Sequence, residues 1–301
     1  MKIACAIDGA IVYSETVSEQ RQRTCADGAV DLQISLPPIP TDAVNITVRT
    51  GHFFLSHLAG SPWHLEQKPR SVNYALLHIP KTAGTSLRVA LEAALGAERV
   101  FPNREYLRLR GGQYLNANEM AFALAGASPA VSLIQGHLSL KEVKKLSPDA
   151  KMITVLRRPS ERLISNLKHI RNRHGVTDAF EDILSDVGSA AALANKQTRQ
   201  LSVLELEAPM QEHLESAKEQ LATFAVVGLT ERYPETLILC EALLGLSLGQ
   251  PEHLNSGEPS GEPWSTELTE RIEALNYYDA ELYRCAEQIF ECQLQGVAVD
   301  S

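Results

Sequence analysis

From residue 72 onward the chain alternates short apolar runs with longer stretches of helical period. VNYALLHI (72–79) reads as a buried strand ended by Pro80. Leu87, Ala90, Leu91, Ala94 and Leu95 then recur at helical spacing between Thr85 and Leu95, and Gly96 is a C-terminal stop. VSLIQ (131–135), closed by Gly136, and KMITVL (151–156) are two more strands. Pro159 suits the start of the next helix, whose Leu163, Ile164, Leu167 and Ile170 share one face. FAVVGL (224–229) is a fourth strand, with Thr230 placed as an N-cap, and the chain from Ser265 to about Leu294 reads as mostly helical. Strands alternating with helices predict an α/β fold, a parallel sheet with helices on both faces. Ligands of such sheets bind at the carboxyl ends of the strands.

The first 70 residues have a different texture. Short β-type runs (Ile3–Ile7, Ala10–Tyr13, Val30–Leu36, Val44–Arg49) are separated by turn signals such as Asp8-Gly9, Asp27-Gly28 and SLPPIP. The predicted organisation is a small β-rich accessory module over 1–70, a polar link around SPWHLEQKPR (61–70), and a larger α/β domain over 71–301. The module is expected to serve as an accessory sheet or dimer contact, with acceptor recognition as the alternative.

Composition narrows the class. With 44% hydrophobic and 22% charged residues in 301, the chain is ordinary for a soluble globular protein, and no run reaches the length of a membrane span. Asp8 interrupts the first apolar stretch, which makes a poor signal peptide. Five cysteines without a C-x-x-C pattern suit a reducing compartment, so a cytoplasmic location is expected, with Cys285 and Cys292 read as core thiols. The net charge of −9 argues against a nucleic-acid partner. Yet Lys141 to Arg173 carries ten Lys and Arg against three acids, a local +7 that leaves −16 for the remainder. Such a concentration implies a small polyanion held at one place.

The sharpest local signal is the strand–HIPKTAGTSL–helix segment at 78–87. A tight turn into a helix N-terminus aims several backbone N–H groups at one spot, and the helix dipole adds positive potential. Gly84 permits close approach, Lys81 supplies a charge, and Thr82, Thr85 and Ser86 supply hydroxyls. A phosphate or sulfate ester needs these groups. The nucleoside-triphosphate pattern G-x-x-x-x-G-K-[ST] is absent, because here the Lys precedes the Gly. In ITVLRRPSERLISNL (153–167), Arg157 stands at a strand end and Ser165 lies eight residues on, so a planar guanidinium and a hydroxyl can meet one phosphate.

Together these residues resemble the sulfotransferases that use 3′-phosphoadenosine-5′-phosphosulfate (PAPS), in particular the carbohydrate sulfotransferases such as the heparan 2-O and chondroitin enzymes. Further likeness lies in QGHL (135–138), NKQTRQL (195–201), FAVVGLTERYPETLILCEALLG (224–245) and NYYDAELYRCAEQIF (276–290). Arg158 departs from the Asp often found at that position. The resemblance implies a P-loop-type parallel sheet flanked by helices. It also implies that Lys81, Thr82, Ala83, Gly84, Thr85 and Ser86 hold the 5′-phosphosulfate of PAPS, that Arg157 and Ser165 hold its 3′-phosphate, and that Arg199 approaches donor or acceptor. The expected product is 3′,5′-diphosphoadenosine (PAP), with no metal required.

The implied reaction is in-line sulfuryl transfer to an acceptor hydroxyl, which needs a base as the new S–O bond forms and a cation at the departing phosphate. Lys81 suits the second task. His137, after Gly136 at a strand end on the same sheet edge, suits the first as an imidazole titrating near neutrality. His78 reads as structural, and His169 and His174 as solvated or close to an acceptor. The acceptor is expected to be a small or weakly charged glycan, glycolipid or other hydroxylated metabolite. Tyr106, Tyr114, Trp63 and Trp264 are possible sugar platforms, although packing is the commoner role of such residues. Two other readings stand beside this one. A phosphotransferase or nucleotide hydrolase would depend on Mg²⁺, and a non-catalytic PAPS-binding scaffold would lack catalytic groups.

Overall fold

The computed structural model describes residues 72–125, 127, 130–174, 179–249 and 265–300, with the backbone of five strands in the first fifty residues. The chain divides into two compact units, Met1–Lys68 with Phe122–Gly126, and Pro69–Ala121 with Ala127–Ser301. The predicted link at 61–70 lies outside the described residues, as do Trp63 and Trp264.

In the first unit, β1 (Lys2–Ile7), β2 (Ala10–Thr16), β3 (Arg23–Thr24), β4 (Val30–Asp31) and β5 (Ile46–Thr50) follow in order. β2-β1-β5 form an antiparallel sheet, and β3 pairs with β4. The β1–β2 pairing runs from Lys2↔Thr16 to Ile7↔Ala10, with a register shift between Cys5 and Ala6. The strand expected over 30–36 is described only at its first two residues.

The second unit holds a five-stranded sheet of β6 (Tyr74–Leu77), β7 (Val100–Phe101), β8 (Leu133–Gly136), β9 (Lys151–Leu156) and β10 (Val226–Leu229). The order is β10-β9-β6-β8-β7 and every pairing is parallel. β9 is buried at every position after Lys151, as a strand covered on both faces requires. The described helices flank this sheet, so the α/β class and the parallel arrangement stand as expected. The fifth strand, β7, is an edge of two residues that the sequence pattern does not reveal.

Local chemistry explains the helices that matter for the site. α1 (Gly84–Leu95) ends where Gly96 adopts φ 93° and donates its N–H to Glu92. The helix Leu140–Leu146 opens with a capping box in which Ser139 and Glu142 satisfy each other's backbone N–H. The helix Pro159–His174 packs Leu163 and Leu167 against Phe180, Leu184, Leu268 and Ile272. The expected N-cap at Thr230 is not one. Its hydroxyl donates to the Leu156 carbonyl, a short 3₁₀ turn covers Thr230–Arg232, and the helix begins at Tyr233 with Pro234 in its first turn. Among the remaining cysteines, Cys240 is buried and Cys285 half-buried, but Cys292 is exposed and is no core thiol.

Candidate active site

The chain leaves β6 in the centre of the sheet, runs to the β8 side, and later returns to the β9 side. The carboxyl ends of β8, β6 and β9 therefore converge at the switch in strand order, where α/β sheets bind ligands. From those ends project His137, the loop 78–83 and Arg157 in turn.

The loop after β6 is held in an unusual conformation. Lys81 has φ 72° and Ala83 φ 62°, the left-handed region, at about 1–2 kcal/mol each for residues with a Cβ. Thr82 is fully buried and its hydroxyl donates to the Ile79 carbonyl, so this side chain anchors the turn and is not offered to a ligand. The turn delivers the chain into α1, whose N-terminus has no side-chain cap and no acidic residue in its first turn. The N–H groups of a first helical turn have no partner within the helix and remain available to an anion. Lys81 is half-buried. Burial, and then the neighbouring Arg157 guanidinium, lower its ammonium pKa from the ordinary value.

Gly84 has a reason that the sequence does not disclose. A Cβ there would lie 2.1 Å from His78 Cδ2. His78 is 4% exposed and is fixed at its backbone, where its N–H donates to Gly136 and its carbonyl accepts from Gln200 Nε2 at 3.1 Å. Its Nδ1 shares a 3.1 Å hydrogen bond with the Tyr114 hydroxyl. Tyr114 in turn stacks on His137, with centroids 3.9 Å apart and planes 26° apart, while His78 meets His137 edge-on at 4.6 Å. Three rings thus close around the end of β8.

His137 keeps an exposed edge but is crowded on its other sides. That desolvation, joined by the Lys196 ammonium, pulls its pKa down to about 4. This holds the imidazole toward its neutral form, below the near-neutral titration expected for it. His78 is lowered well below the ordinary value as well, by burial first, then His137, Arg88 and Lys81.

Arg157 begins the second limb. Its N–H donates to Gln197 Oε1 at 3.0 Å, its carbonyl accepts from Gln197 Nε2 at 2.9 Å, and its Nη1 reaches the Lys81 carbonyl at 3.4 Å. The side chain of Arg157 thus spans from β9 to the loop after β6. Its Nε is buried without a hydrogen-bond partner among the described residues. Nη2 stands 3.5 Å from Glu161, a partly exposed carboxylate one helical turn before the half-buried Ser165. Residues four apart lie on one helix face.

The organiser of the site is the short helix Lys196–Leu201. Gln197 clamps the backbone of Arg157, Gln200 clamps the carbonyls of His78 and Leu138, and Lys196 brings its charge to His137. A buried node sets the start of that helix. The Asp279 carboxylate accepts from the N–H groups of Gln197 and Thr198, and Asn195 Oδ1 accepts from the N–H groups of Tyr278 and Asp279 at the start of the last helix (Tyr277–Asp300). Arg162, fully buried, lies 4.0 Å from Asp279.

The structure thus brings together Lys81, Ala83, Gly84, Thr85, Ser86, Arg157 and His137 at one sheet edge, with Ser165 on the flanking helix Pro159–His174. Arg199 is engaged elsewhere, its guanidinium donating to the Ala191 carbonyl at 3.0 Å and to Met210 Sδ at 3.4 Å. The basic segment 141–173 does not converge on one ligand. Arg162 is buried with Asp279, the Arg158 guanidinium meets Glu161 while its backbone N–H donates to Glu231, Arg171 lies over Phe180, and Lys151 lines a cleft at the opposite end of the strands. Tyr106 packs on Phe101, as a packing residue does. Sequence reasoning missed Lys196 and Gln197 as site residues, read His78 as structural, and weighed Tyr114 only as a sugar platform or packing residue. Only their positions inside NKQTRQL and HIPKTAGTSL pointed to two of these segments.

No family model matches the chain. Over 190 residues it is 30% identical to heparan-sulfate 6-O-sulfotransferase 2 of Gallus gallus, a match covering 50% of this chain and 47% of that protein. Over 78 residues it is 37% identical to the Homo sapiens protein of the same name, covering 26% of this chain and 13% of that one. The chain therefore spans about half or less of the length of these curated relatives. The expected resemblance to carbohydrate sulfotransferases is met by this similarity, in the 6-O branch. Among solved structures, a sulfotransferase from Alicyclobacillus acidocaldarius aligns with a TM-score of 0.44 at 16% identity, covering 72% of this chain and 95% of that one. Retinol dehydratase in complex with androsterone and inactive cofactor PAP aligns at 0.34 with 16% identity, covering 72% and 70%.

Proposed function

We propose that this chain is a PAPS-dependent sulfotransferase acting on a carbohydrate hydroxyl. The observation that carries the reading is the meeting, across β6 and β9, of an uncapped helix N-terminus, the Lys81 ammonium and the Arg157 guanidinium with its orphaned Nε. These groups fit a nucleotide with phosphate at both ends. The N–H groups of α1 and Lys81 take the phosphosulfate, and Arg157 with Ser165 takes the 3′-phosphate. That phosphate competes with Glu161 for one edge of the guanidinium. The competition is slight, because an exposed ion pair is worth about 0–1 kcal/mol.

In the proposed reaction the acceptor oxygen forms a bond to sulfur as the bond from sulfur to the bridging phosphate oxygen breaks. His137 takes the hydroxyl proton, and the charge growing on the departing phosphate is stabilised by Lys81 and the α1 N-terminus. A base with a pKa of about 4 is weak, but an anionic donor beside it favours the imidazolium and moves that value upward. Sequence similarity to heparan-sulfate 6-O-sulfotransferases supports a glycan acceptor.

The test is transfer of labelled sulfate from PAPS to a panel of oligosaccharides, glycolipids and small hydroxylated compounds. Transfer to a sugar hydroxyl, lost in His137→Ala with PAP affinity intact, supports the reading. Stabilisation by ATP with Mg²⁺ and none by PAP would replace it with phosphoryl chemistry.

A further inference from the structure

The three-ring cluster does more than fill space. Tyr114 touches both halves of the proposed site. Its ring lies flat on His137 at 3.9 Å, and its hydroxyl meets His78 Nδ1 at 3.1 Å and also interacts with Thr85 and Arg88 of α1. Thr85 belongs to the first turn of α1, where the donor anion is expected. His78 makes the second connection, because its ring fills the space beside Gly84 and touches the edge of His137. The backbone at both ring-bearing strands is rigid, with His78 bonded to Gly136 and both His78 and Leu138 carbonyls held by Gln200. A shift of the first turn of α1 therefore has a short, packed route to the plane of the His137 imidazole.

We infer that Tyr114 is a positioning residue that couples occupancy of the donor loop to the orientation of His137, a role that rests on the reading of this edge as the sulfuryl-transfer site. Its ring sets the plane of the imidazole and its hydroxyl registers the state of Thr85. An empty donor loop then leaves the base misaligned, which disfavours binding of acceptor in a reactive pose before donor.

The experiment uses the full chain with histidines isotopically labelled and follows the His137 ring resonances while PAP is added, in wild type and in Tyr114→Phe. Phenylalanine keeps the stacking and removes only the hydroxyl. In wild type the His137 signals move on saturation with PAP. In Tyr114→Phe the movement shrinks to the part that the donor's charge produces directly, kcat falls roughly tenfold, PAP affinity stays within about twofold, and the melting temperature falls by only about 3 °C for the one hydrogen bond that His78 loses. Tyr114→Leu, which also removes the platform, lowers kcat further with the same PAP affinity. A wild-type response and kcat preserved in Tyr114→Phe overturn the inference. So does a parallel loss of stability, affinity and rate, which would mark a structural residue. PAP binding to wild type with unmoved His137 signals defeats the coupling and leaves the donor site standing, whereas no PAP binding at all defeats both.

Discussion

Replacing Asp279 by Asn tests whether the buried node organises the site. The side chain keeps its shape and loses its charge. In the native chain one carboxylate oxygen accepts from the Thr198 N–H at 2.7 Å and its hydroxyl at 2.8 Å. The other accepts from the Gln197 N–H at 3.1 Å and lies 4.0 Å from Arg162 Nε. An Asn that keeps its oxygen on Thr198 turns an NH₂ toward the Gln197 N–H and the guanidinium, donors against a donor. A hydrogen bond to a charged group is worth about 1.5–3 kcal/mol. Removing one partner of a buried ion pair costs about 3–5 kcal/mol, because the other charge stays buried. Arg162 has little else to turn to, since only its Nη2 finds the Leu193 carbonyl and its Nε and Nη1 have no hydrogen-bond partner among the described residues. These terms share atoms and do not add. The expected loss is about 4 kcal/mol, which lowers the melting temperature by about 12 °C for a domain of this size. Urea unfolding followed by circular dichroism measures it. Asp279→Asn combined with Arg162→Met removes both charges and is expected to cost at least about 1 kcal/mol less than the sum of the single changes. A single-variant loss under about 1 kcal/mol, or strict additivity, refutes the node.

The same helix gives a functional counterpart. Gln197→Ala orphans the N–H and C=O of Arg157, so PAP affinity is expected to fall about tenfold while His137 titrates as before, as calorimetry and NMR would show. For pH dependence the sign follows from a lowered value. His137 must be neutral to act, so kcat/KM for the donor, which reports the free enzyme, stays flat below pH 6.5 and falls only near about pH 4. The acid limb of kcat with donor bound lies at higher pH, and a limb of kcat/KM at 6.5 would contradict the assignment. His78 and His137 both favour the neutral form when folded, so the stability they permit is complete above the unfolded value near 6.5 and erodes as pH falls below it, which urea midpoints from pH 7 to pH 5 would reveal. Gly84→Ala drives a methyl into His78, and a loss of about 2 kcal/mol, with displaced ring signals for His78 and His137, is the expected result of thermal melts and NMR.

Much of the architecture is legible from local pattern. KMITVL is the third predicted strand and also the observed β9, because a strand buried on both faces is an uninterrupted apolar run. The turn after β6 is legible too, since Pro, Lys and Gly between a strand and an amphipathic helix have few other uses. What escapes is tertiary pairing. Arg162 and Asp279 are remote in sequence, and neither has a periodic signature to say that it is buried with the other. Gly84 reads as room for a ligand, although its immediate neighbour is the ring of His78. Tyr114 reads as packing or a sugar platform because nothing nearby in sequence indicates that it will lie on His137. The local charge count misleads for the same reason. It registers ten cations in one segment and is blind to the acids on other elements, Glu205 and Asp279 among them, that pair with cations of that segment.

The account turns on the donor site, and the most direct measurement compares the affinity of the chain for PAP with that for adenosine 5′-phosphate by calorimetry, with and without Mg²⁺. The two ligands differ only in the 3′-phosphate assigned to Arg157 and Ser165. A charge-assisted contact of that kind is worth about 2–3 kcal/mol, so PAP is expected to bind roughly 30–150-fold more tightly, with the preference lost in Arg157→Ala. Equal affinity for the two nucleotides, or a preference that survives Arg157→Ala, would contradict it.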